Sequence, residues 1–147
     1  KGTGVINRIF HGYGKFEGEM DGRKNGALIS MANGKAVAFA IFNLQARGEM
    51  FVTHNDPVYE GMIVGLAPKP GDMIINVMKG KQLTNMRTQG TDENVVLTPV
   101  RQMSIAEQLS MLNTDEALEI TPKSLRLRKA ILNPTDRKKN EKSGTPL

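Results

Sequence analysis

The chain has 147 residues, which suits one domain or one domain with a piece of another, and its lack of cysteine excludes disulfides and cysteine-based zinc sites. Hydrophobic residues make up 39% and charged residues 24%, as in globular proteins, and the longest apolar run is too short to span a bilayer. The positive excess behind the net charge of +5 lies entirely in residues 122–147, where eight cations stand against two acids. Such a basic segment suits either a polyanion partner, most simply nucleic acid, or a solubilising tail.

The N-terminal residues indicate a strand followed by a connection. Residues 5–10 are strand-like, and the closely spaced glycines of residues 12–26 break any helix there, which marks a candidate domain boundary. The start, without an initiator methionine and at once in a strand, suggests a piece of a longer polypeptide. An engineered or processed start is the alternative.

A β-hairpin is predicted around Asn33 and Gly34, which lie between two apolar runs. Asn-Gly favours a two-residue turn because both positions need positive φ, and such a turn would place Leu28 opposite Phe39. A short helix or turn is predicted over residues 43–48, and a turn over residues 68–72. Further strands are predicted over residues 50–52, 58–66, 73–78 and 94–97, the second of them bulged or bent at its two glycines.

Residues 79–93 form a long polar segment between apolar runs. Irregular segments of this length are uncommon in compact domains, and they are often binding loops. Lys79, Lys81 and Arg87 would suit phosphate oxygens, while the neighbouring amides and hydroxyls would suit sugar and base edges. The alternative is a solvated, mobile connection.

A helix is predicted to begin after Ser104, because Glu107 completes a capping box with it. Ile105, Leu109 and Leu112 share one face of that helix, and we expect this face to pack on the core rather than in a partner's groove.

Residues 117–120 and 125–128 alternate with period two and predict a second hairpin. A four-residue loop pairs Leu118 with Leu127 and Glu119 with Arg126, so apolar meets apolar and acid meets base. Asn133-Pro134 then predicts the cap and first position of a short basic helix. The elements together predict an α+β fold, mostly antiparallel, with one or two short helices.

Catalytic motifs are missing from the sequence. Each of the three Gly-Lys pairs lacks the glycine that a phosphate-binding loop needs five positions earlier. His11 and His54 are isolated, and Asp92-Glu93 is more typical of a solvated pair of acids than of a catalytic one. We therefore predict no catalytic and no metal-binding residue.

Several blocks, taken in order, resemble one family. They are GTG at residues 2–4, NGALIS at 25–30, GKA at 34–36, FNLQARG at 42–48, VYEGMI at 58–63, KGKQLTN at 79–85, GTDE at 90–93 and TPKSLRLRK at 121–129. This ordered set resembles the C-terminal part of TypA/BipA, a family of bacterial translational GTPases related to EF-G and LepA. Any one block is weak, but the ordered set is specific and covers nearly the whole chain.

The resemblance implies a domain division and a role. Residues 1–14 would be the last strand of an EF-G-like fifth domain with a ferredoxin-like fold, and residues 15–147 the family's own C-terminal domain with its basic tail. GTP and Mg²⁺ would bind in an N-terminal G domain that these residues do not include, so this chain would hold no cofactor. The chain would be a cytoplasmic monomer without membrane contact.

The partner implied by the resemblance is the ribosome. The domain would dock at the A site, where its long loop reaches the tRNA acceptor end and large-subunit rRNA, in a family linked to large-subunit assembly and to stress or cold adaptation. The implied RNA-binding residues are Lys79, Lys81, Gln82, Thr84, Asn85, Arg87, Thr88, Arg126, Arg128, Lys129, Arg137, Lys138 and Lys139. Two alternatives stay open: a protein–protein interaction domain using strand edges near residues 50–52, and a small enzyme using Asp92 or Glu93.

Overall fold

The fold is known from a computed structural model that describes residue 7, residues 9–16, residue 18, residues 23–80 and residues 96–143. Its elements in chain order are β1 (Ala27–Ser30), β2 (Gly34–Lys35), α1 (Ala38–Gln45), β3 (Glu49–Met50), β4 (Pro57–Val58), β5 (Ile63–Leu66), β6 (Met73–Ile75), α2 (Ile105–Ser110), β7 (Glu116–Ile120), β8 (Leu125–Lys129) and α3 (Pro134–Ser143). This confirms the α+β class, with three described helices rather than one or two.

A four-stranded sheet in the order β3-β5-β1-β6 forms the centre of the fold. The β1 strand pairs antiparallel with β5 and parallel with β6, and all four of its residues are buried. On one face Leu28 packs in a cluster with Ile41 of α1, and on the other Ile29 packs in a cluster with Leu127 of β8. Helix α1 and the β7–β8 hairpin therefore cover opposite faces of the sheet.

The hairpin predicted at Asn33-Gly34 is wrong. Neither residue has positive φ, so the two-residue turn does not form, and the second predicted strand is replaced by the start of helix α1 (Ala38–Gln45), which also includes the first residues of the helix or turn predicted over residues 43–48. The short β2 strand pairs with β4, while the Oδ1 atom of Asn33 accepts a hydrogen bond from the backbone N–H of Glu60 at 2.8 Å. The apolar run is buried along a helix because β5 and β6 already occupy both edges of β1.

The glycines in the predicted strand over residues 58–66 do mark irregularities. Leu28 pairs with Gly65 but Ile29 pairs with Ile63, so β5 carries one extra residue at this point. Gly61 adopts φ of 83°, and a Cβ atom there would lie 2.7 Å from the Cα of Leu132. The strand is thus split into β4 and β5 by a bend that only glycine fits.

The predicted capping box of α2 is confirmed, but its predicted packing face is not. The Ser104 hydroxyl accepts from the Glu107 backbone N–H at 3.3 Å, and the Glu107 carboxylate accepts from the Ser104 N–H at 2.8 Å. Ile105 and Leu109 are exposed, and only Leu112 packs on the core. The helix is only six residues long, and it buries Gln108 on its inner side instead.

The β7–β8 hairpin has the predicted register, with Glu119 opposite Arg126 and Leu118 opposite Leu127. The Thr121 side chain closes its turn by accepting from the Ser124 backbone N–H at 2.9 Å. Periodicity of two was sufficient here because the two strands are adjacent in sequence.

Helix α3 begins as predicted. The Asn133 Oδ1 atom accepts from the backbone N–H groups of Thr135 and Asp136, and Pro134 takes the first helical position.

Two predictions for the chain segments at the edges of the described ranges have different outcomes. Val96 and Leu97 are not in a strand, and residues 94–95 lie outside the described part. Residues 9–16 have no regular structure, and residues 1–6 lie outside the described part of the chain. The domain boundary near residue 14 therefore stays a prediction.

The side chain of Lys129 joins three parts of the fold. This residue ends β8 and is 1% exposed, and its ammonium contacts Asp72 at 2.5 Å, Asp115 at 2.7 Å and Glu116 at 3.0 Å. Glu116 also accepts an ion-paired hydrogen bond from Arg23 at 2.7 Å. These five residues, the Lys129 cluster, tie the hairpin to the turn before β6 and to the segment before β1.

The cluster shifts the pKa values of two of its members. Burial of the ammonium lowers the pKa of Lys129, but hydrogen bonds to Asp115 and Asp72 outweigh it, so the pKa is raised. Burial likewise raises the pKa of Asp72, but hydrogen bonds from Lys129 and from the Ala27 backbone N–H outweigh it, so the pKa is lowered. Both groups are therefore held in their charged forms.

Replacing Lys129 with Met should lower the free energy of unfolding by about 3 kcal/mol, because Asp72, Asp115 and Glu116 all lose their ammonium partner and the buried Glu116 keeps only Arg23. Urea unfolding followed by circular dichroism measures this change. The matched control is Arg126→Met on the same strand, where the 3.5 Å pair with Glu119 is partly exposed and should contribute less than about 1 kcal/mol. Equal destabilisation of the two variants would contradict a special role for Lys129.

Stability should also fall in acid. The folded pKa of Asp72 lies below its ordinary value of 3.8, so its contribution is present above pH 3.8 and is lost as the pH falls through the folded pKa. Asp72→Asn should therefore be less stable than wild type at pH 6 and lose less stability between pH 6 and pH 3, as measured by urea titrations. Glu60→Gln, a carboxylate outside the cluster, serves as control. An unchanged acid dependence in Asp72→Asn would refute this assignment.

Candidate nucleic-acid interface

The predicted RNA-binding loop leaves the fold at a well-anchored point. Val77 is fully buried, and its carbonyl accepts a hydrogen bond from the Val37 backbone N–H at 2.9 Å. The next residue, Met78, packs against Gly34, where a Cβ atom would lie 2.3 Å from the Met78 sulfur. Lys79 follows and is exposed. The remaining predicted loop residues lie outside the described part: Lys81, Gln82, Thr84, Asn85, Arg87 and Thr88.

The chain re-enters the fold through a side-chain clamp. The Gln45 amide donates to the Thr98 carbonyl at 2.8 Å and accepts from the Thr98 backbone N–H at 3.1 Å. These two bonds imitate one step of a strand pairing. Leu97 packs against the core beside them.

Helix α1 therefore separates the two ends of the loop. Val37 is the residue that precedes the helix, and Gln45 is its last residue. At 1.5 Å per residue these anchor points lie about 12 Å apart along the helix axis. The length of α1 thus fixes the width of the loop base.

The hairpin cations are only partly available to a ligand. The Arg126 guanidinium lies 3.5 Å from Glu119, which also accepts a 2.6 Å hydrogen bond from the Tyr59 hydroxyl. Burial, and next the hydrogen bond to this carboxylate, raise the pKa of Tyr59 to about 12, so the tyrosine remains a donor. Arg128 is half-buried and donates to the carbonyls of Lys129 and Ala130.

Lys129 must be removed from the predicted RNA-facing cations. Its ammonium is buried and surrounded by three carboxylates, so a phosphate could reach it only by breaking the Lys129 cluster. Period-two alternation puts Lys129 on the same face as Leu127, which the sequence predicts to be buried, and Arg126 and Arg128 on the other face. The sequence did not show which acids would accept the charge of a buried lysine.

Helix α3 carries several cations and lies at the surface of the fold. None of its residues is buried. Lys138 is exposed, and Lys139 is exposed within a loose 3.6 Å ion pair with Asp136. Arg137 instead donates to the carbonyls of residues 131 and 132, so it holds the helix onto the preceding segment. Arg137 thus holds the helix in place, whereas Lys138 and Lys139 are exposed to solvent.

Sequence reasoning missed two residues of this surface. Gln45 was included only as part of a short helix or turn, because its partner is 53 residues away and no local pattern reveals it. Lys123 is exposed in the β7–β8 turn and forms no ion pair with any residue that the structure describes. Its position in a predicted loop beside Arg126 was the available signal.

Among the residues that the structure describes, no three His, Cys, Asp or Glu side chains are grouped so as to hold a metal ion. The helices of the described ranges are also too short or too polar to cross a bilayer. Asp92 and Glu93, the proposed acids of a small enzyme, lie outside these ranges.

Comparison with known proteins gives a consistent family. The family described as the TypA/BipA C-terminal domain matches residues 25–134. The large ribosomal subunit assembly factor BipA of Buchnera aphidicola subsp. Schizaphis graminum is 48% identical over 147 residues, covering 99% of this chain and 24% of the relative. The proteins of the same name from Salmonella typhimurium and Escherichia coli K12 are each 46% identical over 139 residues, covering 94% of this chain and 23% of the relative. The chain thus spans about a quarter of the length of these relatives.

The clamp on the loop can be tested directly. Gln45→Leu removes both hydrogen bonds to Thr98 and should speed hydrogen exchange of the Thr98 amide by about five- to tenfold, since a net hydrogen bond contributes about 1 kcal/mol. Gln45→Glu is the matched control, because a carboxylate still accepts from that amide. Equal exchange rates in Gln45→Leu and wild type would show that the clamp does not hold the chain.

Proposed function

Because this chain belongs to the TypA/BipA C-terminal domain family, we propose that it is the non-catalytic, RNA-binding part of a ribosome-associated GTPase that acts in large-subunit assembly. The names of relatives that are 46–48% identical across nearly the whole chain support the assembly role. In this proposal GTP and Mg²⁺ would bind in the part of the longer protein that this chain does not cover. This chain would contribute contacts rather than catalysis.

The observation that carries the RNA-binding proposal is the exposed basic surface of α3. A helix without one buried residue gains nothing from core packing, so its composition is free to serve an external partner. Lys138 and Lys139 stand on that surface, and flexible lysines bind phosphates as point charges. The two α3 lysines would therefore fix the domain on an RNA backbone.

The second contact would be the loop that begins at Lys79. Its cations would meet phosphates, while its amides and Thr hydroxyls would meet sugars or bases. We propose that it reaches the A-site region, large-subunit rRNA and the tRNA acceptor end, with the α1 spacing defining its base. Cytoplasmic location, a monomeric state and a role in stress or cold adaptation belong to the same proposal.

A protein–protein interaction domain without RNA contact is the competing hypothesis. It would use the sheet edge at β3, yet this strand has only two residues and offers few free backbone groups for strand addition. We therefore favour RNA.

The loop is tested by replacing Lys79, Lys81 and Arg87 together with Ala in the full-length protein. Ribosome association should weaken, and the salt slope of binding should fall by about 0.7–0.9 for each phosphate that the variant no longer binds. Pelleting with purified large subunits across a potassium chloride titration measures both quantities. The fold should remain intact, because Lys79 is exposed and the three positions do not follow the apolar pattern.

The comparison variant is Lys138→Ala with Lys139→Ala, which removes charge from α3 and leaves the loop unchanged. If the triple loop variant binds ribosomes as tightly as wild type at every salt concentration, the loop only connects two parts of the fold. If the α3 variant alone then failed to bind, the basic helix would be the main RNA contact.

A further inference from the structure

A cleft of about 690 Å³ lies beside the β7–β8 hairpin, and none of the residues that line it belongs to α3. It is formed by β5, residues 51–56, residues 100–108 and residues 121–127. We infer that this cleft binds one unpaired RNA nucleotide, its base inside and its phosphate at the rim. The inference rests on the proposed RNA-binding function and gives it a second, more specific site. The volume falls within the usual range for small-molecule sites.

The rim of the cleft favours an anion. Three cations, Arg101, Lys123 and Arg126, line it against a single acid, Asp56. The Asp56 carboxylate already accepts a 2.7 Å hydrogen bond from the Thr53 backbone N–H. Lys123 has no ion-pair partner in the part of the chain that the structure describes.

The two arginines at the rim form ion pairs that are open to water. Arg101 lies 3.1 Å from Glu107 and 4.0 Å from Glu49, and the side chains of Arg101 and Glu107 are 45% and 47% exposed. Arg126 lies 3.5 Å from Glu119. Pairs so accessible to water are weak, so a phosphate can compete for these guanidinium groups.

Gln108 lines the same cleft and carries an acceptor that is unsatisfied among the described residues. The residue is 8% exposed, and its amide nitrogen donates to the Met103 carbonyl at 3.3 Å. Its Oε1 atom is buried, and no described protein group donates to it. A buried acceptor without a donor is costly, so a ligand N–H that reached it after a small side-chain adjustment would be bound favourably.

The remaining walls suit the flat face of a base. Phe51, Val100 and Met103 are partly buried and line the cleft, where they present aromatic, branched and thioether surface. Stacking on such surface is tolerant of sequence, because every base has a π-face. The exocyclic amine of adenine can then donate to Gln108 while the phosphate meets Lys123. Phosphate, base face and amine donor together distinguish a nucleotide from a simple anion.

The test is an NMR titration of the ¹⁵N-labelled chain with a five-residue adenosine RNA and with an abasic ribose-phosphate pentamer. The adenosine RNA should shift the side-chain amide signals of Gln108, and the abasic pentamer should bind more weakly and leave them unchanged. Gln108→Leu should weaken binding of the adenosine RNA about fivefold, the value of one net hydrogen bond. Lys123→Ala should lower the salt slope by about 0.7, as for one phosphate bound on a single strand.

Lys69→Ala is the matched control, since it removes another exposed lysine, one outside the cleft, and should bind like wild type. Thermal unfolding measures whether Gln108→Leu is still folded. If that variant is unfolded, Lys123→Ala, which changes only an exposed turn residue, still tests the inference. Unshifted Gln108 signals, or wild-type affinity in both cleft variants, would overturn the inference.

The outcome is separable from that of the proposed function. Ribosome association of the full-length protein without any Gln108 shift would overturn the cleft alone. Shifts at Gln108 without ribosome association would overturn the proposed ribosomal role alone.

Discussion

The burial of one ammonium group organises the described fold. Lys129 can be buried only because Asp72, Asp115 and Glu116 surround it, the first from the turn before β6 and the other two from the start of β7. A buried charge without these partners would be strongly unfavourable. The position of the hairpin that carries Lys123 is therefore fixed, because Lys129 at the end of β8 must stay beside the three carboxylates that neutralise its charge.

The burial of Lys129 shows that the basic residues of the C-terminal segment have two different roles. The lysine at the end of β8 is used to hold the fold, while the lysines of α3 and of the β7–β8 turn remain at the surface. The net positive charge of the C-terminal segment therefore overestimates the number of cations that a polyanion could contact. A basic stretch becomes an interface only where its side chains are not already neutralised by the protein itself.

A second constraint is geometric and acts on the loop. Its two ends are attached at opposite ends of α1, one by a backbone hydrogen bond to Val37 and the other by the Gln45 clamp. A helix is stiff, so its length gives the loop base a defined width of about 12 Å. Helix α1, only part of which was predicted as a helix or turn, therefore sets the spacing of the two points at which the predicted loop is attached.

Local patterns were enough to establish the α+β class, the helix starts and the last hairpin. The capping box of α2, the start of α3 at Asn133-Pro134 and the pairing of Glu119 with Arg126 all join residues within about ten positions of one another. The ordered sequence blocks likewise indicated the family that the comparisons show. The three-dimensional arrangement was needed to reveal that residues 38–45 are helical, that Lys129 is buried, that Gln45 holds Thr98, and that Gln108 rather than Ile105 faces inward. Burial and ion pairing depend on partners brought together across the sheet, and the energy of those distant contacts overrides local periodicity.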